Sequence, residues 1–118
     1  MTIQDIKDRL NREHPNQYTN DDIIAWVNDV ERDISMWLRT FEGIITEESE
    51  QHSELTDEAM INEPDVYVEY IISRICLANE EYDRYNNHAA LYNQRFTDWR
   101  ERYLRAHMPI DEGGYKNL

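Results

Sequence analysis

The sequence predicts an all-α fold of about four helices, and three observations support that assignment. Apolar residues recur at steps of three and four over most of the chain, as they do on one face of a helix. Thr2 and Thr19 each precede an acidic residue at the spacing of a capping box. Pro15 and Pro64 stand where a helix would stop and where the next would begin. A chain of 118 residues suits one domain, residues 1–118, with a modest core.

The first half of the chain predicts two helices, over residues 2–14 and 20–41. Their apolar positions are Ile3, Ile6 and Leu10 in the first helix and Ile23, Val27, Val30, Ile34, Trp37 and Phe41 in the second. In both capping boxes an aspartate takes the place of the usual Glu or Gln. Pro15 ends the first helix, and the second ends near Gly43. Because residues 14–18 form only a short polar link, we expect the two helices to be antiparallel neighbours in a hairpin.

The second half carries a longer apolar stripe. Its members, each three or four residues after the last, are Val68, Ile71, Ile75, Ala78, Tyr82, Tyr85, Ala89, Tyr92, Phe96, Trp99 and Tyr103. A single rod of this length would measure about 55 Å, several times the ~14 Å radius of gyration expected of a compact domain of this size. Asn79 can adopt the left-handed conformation that ends a helix, and the acids that follow suit a first turn. We therefore predict two helices, 64–79 and 80–106, that form a second hairpin.

The apolar stripe changes from aliphatic to aromatic side chains at the predicted break between the two helices. The helix over 64–79 presents a broad aliphatic surface, which is typical of the buried central helix of a domain. The helix over 80–106 presents a narrow aromatic stripe, made of Tyr82, Tyr85, Tyr92, Phe96, Trp99 and Tyr103. Such rings suit the edge of a core or a protein interface. Two interpretations stay open: the rings pack on the second helix, or part of the stripe contacts another subunit. We count these residues, with Tyr115 in a flexible C-terminal arm over 107–118, as candidate interface residues.

Negative charge is concentrated in the middle of the chain. The net charge is −13, and nine acidic residues lie between 42 and 66 without a Lys or Arg, whereas residues 81–106 hold five Arg and four acids. This charge balance disfavours direct binding of nucleic acid, because contacts to phosphates need Lys and Arg side chains. Residues 44–63 show neither helical nor strand periodicity. We interpret them as an exposed acidic loop, with a hidden short hairpin or turn of helix as the alternative.

No residue pattern predicts catalysis, a cofactor or a metal site. The three glycines are too scattered for a phosphate-binding loop, and the four histidines are too isolated for zinc. The acids lack the pattern of a calcium loop. Cys76, between two aliphatic residues, predicts a buried, inert thiol. No apolar run approaches the ~20 residues of a membrane span. We therefore expect neither an enzyme nor a secreted or membrane protein.

Short motifs in both halves of the chain share a pattern with a known family. They are Pro15-Asn16-Gln17-Tyr18 with Asp22 and Trp26; Pro64-Asp65 with Tyr67 and Tyr70; Ala78-Asn79; Glu81-Tyr82-Asp83-Arg84-Tyr85-Asn86-Asn87; and His107-Met108-Pro109. The stretches that carry them, 14–34 and 63–109, resemble small head-tail connector (head-completion or adaptor) proteins of long-tailed phages of Gram-positive hosts. Where such relatives commonly have Gly between Asn and Glu, this chain has Glu80, which weakens the predicted turn.

The resemblance implies a structural virion protein. Its subunits would form a homo-oligomeric ring, of twelve in the virion, beneath the portal protein, and would reside in the host cytoplasm before assembly. The next neck or tail component would be a further partner, and DNA would pass through without specific binding.

An acidic lining would repel phosphates over about a Debye length, ~8 Å at physiological salt. We therefore expect the acidic loop to face the channel or to reach the next ring, through Glu47, Glu48, Glu50, Glu54, Asp57 and Glu58. The alternatives are another phage neck or tail-completion protein and an acidic inhibitor that mimics DNA.

Overall fold

The computed structural model describes residues 1–15, 18–42 and 51–107, and four helices form an all-α fold within them. They are α1 (Ile3–Glu13), α2 (Asn20–Glu42), α3 (Pro64–Ala78) and α4 (Tyr82–His107). These ranges contain no strand, only an isolated antiparallel bridge between Thr2 and Glu58. The predicted fold class and the four helices are confirmed, with each boundary within two residues of the prediction. The predicted C-terminal arm beyond residue 107 lies outside the described residues.

Both predicted capping boxes form. At α1, the Thr2 hydroxyl accepts from the backbone N–H of Asp5 at 3.3 Å, and the Asp5 carboxylate accepts from the backbone N–H of Thr2 at 2.9 Å. At α2, Thr19 and Asp22 exchange the same two hydrogen bonds at 3.2 and 3.4 Å. Each aspartate therefore serves as the carboxylate acceptor that is usually a Glu. Each threonine–aspartate pair satisfies two backbone donors at the start of its helix.

Helix α3 lies at the centre of the molecule and contacts each of the other three helices. The buried apolar side chains around it include Ile3, Ile6 and Leu10 from α1, Ile23, Val27, Val30 and Ile34 from α2, and Val66, Val68, Ile71, Ile75 and Cys76 from α3 itself. The thiol of Cys76 is buried as predicted, and burial raises its pKa. The broad aliphatic surface of α3 thus predicted its central position correctly.

Side-chain contacts give the helix directions. Tyr18, just before α2, lies beside Asn79 at the end of α3, and Asp29 lies beside Tyr70, so α2 and α3 run antiparallel. Helix α4 returns antiparallel to α3: Glu69 contacts His88 at 2.8 Å, and Glu63 at the start of α3 pairs with Arg102. Helix α1 contacts both α2 and α3. The α3–α4 hairpin is as predicted, and α1 contacts its predicted neighbour α2 but also α3.

The chain turns between α3 and α4 through a left-handed residue, which is Glu80 and not Asn79. Glu80 has φ 61°, whereas Asn79 has φ −89° and ψ 4°. The backbone N–H of Glu80 donates to the carbonyl of Leu77, and that of Glu81 donates to the carbonyl of Cys76. This is the Schellman pattern, in which the residue after the C-cap takes positive φ. The predicted break is confirmed, but its residue was wrong by one position, because Asn79 is the C-cap.

We predict that Glu80→Gly stabilises the protein. A non-glycine residue in the left-handed region costs about 1–2 kcal/mol of stability, and glycine removes this cost. Because glycine also loses more backbone entropy on folding, the net gain in folding stability is about 1 kcal/mol. Chemical denaturation of the variant and the parent chain measures the difference. Asn79→Gly is the matched control: its φ is already negative and its amide accepts from Tyr18, so it should lower stability. An unchanged or lower stability of Glu80→Gly would contradict this reading of the turn.

Candidate interaction surface

The aromatic stripe of α4 divides into a covered part and an exposed part. Tyr92 and Trp99 are buried. Tyr85, Phe96 and Tyr103 are half-buried and pack against the core, whereas the ring of Tyr82 is 58% exposed. Tyr115 lies outside the described residues.

Helix α2 covers the C-terminal part of the stripe, chiefly through Trp37. The Trp37 ring packs edge-on against Trp99 and Tyr103, with centroid separations of 5.6 Å in both cases. One turn earlier in α2, the carboxylate of Asp33 accepts a hydrogen bond of 2.9 Å from the Tyr92 hydroxyl. Packing on the second helix is therefore the correct interpretation for Tyr92, Trp99 and Tyr103.

Three tyrosine hydroxyls donate to carboxylates of α2. Tyr67 donates to Glu31, Tyr70 to Asp29 and Tyr92 to Asp33. Burial, reinforced by the neighbouring negative charge, raises the pKa of Tyr70 to about 12 and raises the pKa of Tyr67 and Tyr92 as well. These hydroxyls stay neutral donors and tie α3 and α4 to α2.

The exposed part of the stripe lies at the turn from α3 to α4. Tyr82, Asp83, Arg84, Asn86 and Asn87 are all exposed, and Arg84 contacts Glu81, one turn away, at 3.5 Å. A surface ion pair of this kind contributes little to stability, about 0–1 kcal/mol. The densest motif of the sequence, residues 81–87, therefore lies mostly on the surface, and of its side chains Tyr85 packs against the core.

The second half of the acidic segment, residues 51–63, is fixed to the helices. Its backbone exchanges hydrogen bonds with the start of the chain: Ile3 N–H donates to Asp57 at 3.0 Å, Gln4 N–H to Leu55 at 2.8 Å, and Ala59 N–H to Met1 at 2.9 Å. Leu55, Ala59 and Ile61 pack against the core. The prediction of an irregular loop holds for 51–63, and its acids Glu54 and Glu58 are exposed as expected, but these contacts dock the loop on the helices.

A buried carboxylate, Glu31 of α2, anchors this segment. Glu31 is only 2% exposed. One carboxylate oxygen contacts His52 Nε2 at 2.5 Å, and the other accepts from the backbone N–H of Met60 at 2.5 Å and from the Tyr67 hydroxyl at 3.0 Å. Asn28 adds two hydrogen bonds to the backbone of His52. Transfer of a carboxylate out of water costs several kcal/mol, and these three partners offset that cost.

Sequence reasoning missed Glu31. Its signal was present but weak: Glu31 follows Val27 by four residues and precedes Ile34 by three, so a helical stripe that includes those two also includes Glu31. A charged residue at such a position needs partners, and the partners lie 21, 29 and 36 residues away in sequence.

The six acids expected to face a channel have different surroundings. Glu47, Glu48 and Glu50 lie outside the described residues. Glu54 is exposed, and Glu58 is exposed but pairs with the Met1 amine at 3.0 Å. The Asp57 carboxylate accepts from the backbone N–H groups of Ser53 and Glu54, which together lower its pKa, and it lies 3.6 Å from His52. Asp57 therefore stabilises the turn 53–57 instead of projecting from it.

A groove of about 360 Å³ separates the exposed edges of α2 and α4. Asp33 and Trp37 line one side, and Asn93, Phe96 and Arg100 the other. The Arg100 guanidinium lies 5.4 Å from the Phe96 ring centroid and 6.0 Å from that of Trp37. Such cation–π contacts hold the guanidinium along the groove wall.

The chain matches no protein-family model, no curated protein and no solved structure. Within residues 1–15, 18–42 and 51–107, no three His, Cys, Asp or Glu side chains are grouped as ligands for a metal ion. None of the helices formed by those residues combines the length and the apolar character needed to cross a membrane.

We predict that Glu31→Ala destabilises the protein by about 3–5 kcal/mol, the range for removing one partner of a buried charged network. The substitution leaves His52, the Met60 N–H and the Tyr67 hydroxyl without their shared acceptor. Chemical denaturation measures the loss, and Glu101→Ala on the exposed face of α4 is the control. Equal stability of the two variants would show that Glu31 does not anchor the structure.

A second prediction concerns alkaline pH. Tyr67, Tyr70 and Tyr92 have raised pKa values in the folded chain, so the folded state holds their protons more tightly than the unfolded state does. Their contribution to folding stability is fully present below the ordinary tyrosine pKa of about 10 and is lost as the pH rises through the raised pKa values. Tyrosinate absorbance should therefore show delayed ionisation in the native protein relative to the protein in denaturant. Tyr92→Phe should remove one delayed group, and coincident native and denatured curves would contradict the geometry.

Proposed function

We propose that this chain is a structural component of a phage neck, a head-tail connector or adaptor that forms a ring beneath the portal protein. The ring, of twelve subunits, would contribute to the channel through which DNA passes without specific binding. On this proposal the protein is not an enzyme, it works in the virion, and it is present in the host cytoplasm before assembly. Its partners are copies of itself, the portal protein and the next neck component.

One observation carries the proposal: the most specific part of the resemblance falls on residues that are mostly exposed, although Tyr85 among them packs against the core. The motif Glu81–Asn87 begins α4 at an exposed turn, and Tyr82 presents an aromatic ring to solvent there. A motif that fills a core needs no function beyond folding. An exposed aromatic ring flanked by Asp83, Arg84 and two asparagines instead has the composition of a protein interface, with an anchor and a polar rim.

The remainder of the molecule suits a rigid ring subunit. Buried and part-buried polar contacts fix α2 to α3, α4 and residues 51–63, which would give the subunit a rigid body. Closing a ring requires one surface of each subunit to bind a different surface of its neighbour. The exposed turn would supply the first surface. The charge of −13 suits a channel wall that releases DNA.

We predict that Tyr82→Ala abolishes or weakens assembly and leaves folding intact. Truncation of an aromatic anchor at an interface costs about 2 kcal/mol or more of binding free energy, whereas an exposed ring contributes little to folding. Mass measurement under native conditions, with the chain alone and with its cognate portal protein, gives the assembly state; thermal unfolding gives the stability.

Trp99→Ala is the matched comparison on the same stripe. Trp99 is buried against Trp37, so its loss should cost about 3–5 kcal/mol of stability, the range for large aromatic side chains. If Tyr82→Ala assembles as the parent chain does, the exposed turn is not the interface. If the parent chain forms no oligomer with or without the portal, the connector proposal itself fails.

A further inference from the structure

The groove between α2 and α4 contains a cation without an ionic partner among the described residues. The guanidinium of Arg100 lies 5.4 Å from the Phe96 ring centroid and 6.0 Å from that of Trp37. It donates to the Thr97 hydroxyl at 3.2 Å, but it forms no ion pair with any residue of the described ranges. An occupant that fits this groove therefore carries an acid next to an aromatic ring, so that the acid meets the guanidinium and the ring meets the aromatic wall.

The turn from α3 to α4 presents this combination of side chains. The ring of Tyr82 is 58% exposed. The next residue, Asp83, is exposed too, and its carboxylate has no ion pair within the described part of the chain. Asn86 lies one helical turn after Tyr82 on the same side of α4 and is also exposed. One surface of the subunit thus has an acid beside an exposed ring, and another has a base beside an aromatic wall.

A single subunit cannot bring these two surfaces together. Tyr82 and Phe96 both belong to the continuous helix α4, and the fourteen residues between their positions span about 21 Å. The helix holds the ring at that distance from its own groove, so an occupant with this chemistry comes from another chain. The same distance lets one subunit present its turn to one neighbour and its groove to a second neighbour.

We propose that the exposed turn of one subunit docks in the α2–α4 groove of a second copy of this chain. The Tyr82 ring of one copy lies on the wall formed by Trp37 and Phe96 of the other, and the Asp83 carboxylate pairs with the Arg100 guanidinium. This contact rests on the proposed ring and supplies the second of the two different surfaces that a closed ring requires.

Local charges favour contact between turn and groove over contact between two identical surfaces. Two turns would bring Asp83 near Asp83, and two grooves would bring Arg100 near Arg100, whereas a turn in a groove joins opposite charges. The net charge of −13 opposes the approach of two copies at low salt. At physiological salt this repulsion is screened beyond about 8 Å, whereas a close, partly buried ion pair is screened much less.

Reciprocal charge reversal tests the contact in the full chain. In Asp83→Arg the turn becomes basic, and in Arg100→Glu the groove becomes acidic, so each variant alone has like charges at every contact between turn and groove. The association constant of each variant should fall at least about fivefold, the equivalent of one modest ion pair. An equal mixture of the two variants should restore oligomers in which they alternate, because every contact then joins opposite charges. Native mass spectrometry gives the composition of each oligomer.

Two further variants separate charge from packing. Arg105→Glu makes the same charge change at an exposed position of α4 outside the residues that line the groove, and it should assemble as the parent chain does. Arg100→Met keeps an apolar stem against the two rings but removes the charge, so it should weaken assembly while thermal unfolding stays close to that of the parent chain.

The outcomes distinguish this contact from the proposed function. If the parent chain assembles and both Arg100 variants assemble equally well, the groove is not the second surface, and the connector proposal is unaffected. If the parent chain forms no oligomer with or without the portal protein, both proposals fail. If the Arg100 variants lose binding to the portal protein but not to other copies, the groove belongs to the portal contact and the proposed contact is overturned.

Discussion

The structure depends on one buried carboxylate. Glu31 can remain in the interior only if donors reach both of its oxygens, and the donors come from His52, the Met60 backbone and Tyr67. These partners belong to α3 and to the segment that precedes it, so a single side chain of α2 positions both. The segment 51–63 carries few large apolar residues of its own, and this polar anchor and the backbone bonds to α1 hold it in place.

The same helix organises the opposite side of the molecule. Asp29 and Asp33 bind the hydroxyls of Tyr70 and Tyr92, and Trp37 covers Trp99 and Tyr103. These contacts between α2 and α4 lie at Tyr92 and beyond, and among the described residues Tyr82, Asp83 and Arg84 at the start of α4 stay exposed. The exposure of Tyr82 thus follows from where α2 meets α4, and it gives the proposed connector its surface for a neighbour.

The helices could be predicted because their signals are local. Steps of three and four located all four, and the threonine–aspartate pairs located two starts to within a residue. The turn was found, but Asn79 was chosen for its residue type, whereas the hydrogen bonds to Leu77 and Cys76 require positive φ at Glu80. The docking of 51–63 could not be predicted, because the donors that satisfy Glu31 are 21 to 36 residues distant. Nor could spacing separate Tyr82 from Tyr92: both occupy the stripe, but Tyr92 packs against Tyr70 of α3 and Asp33 of α2, whereas Tyr82 is exposed.

The turn from α3 to α4 is the surface that we propose binds another protein. Hydroxyl-radical footprinting of Tyr82 and Tyr92, in the free chain and in the assembled neck, tests it most directly. Tyr82 should be reactive in the free chain and protected on assembly, while Tyr92 should be protected in both states. Equal reactivity of Tyr82 in the free and assembled states would contradict it.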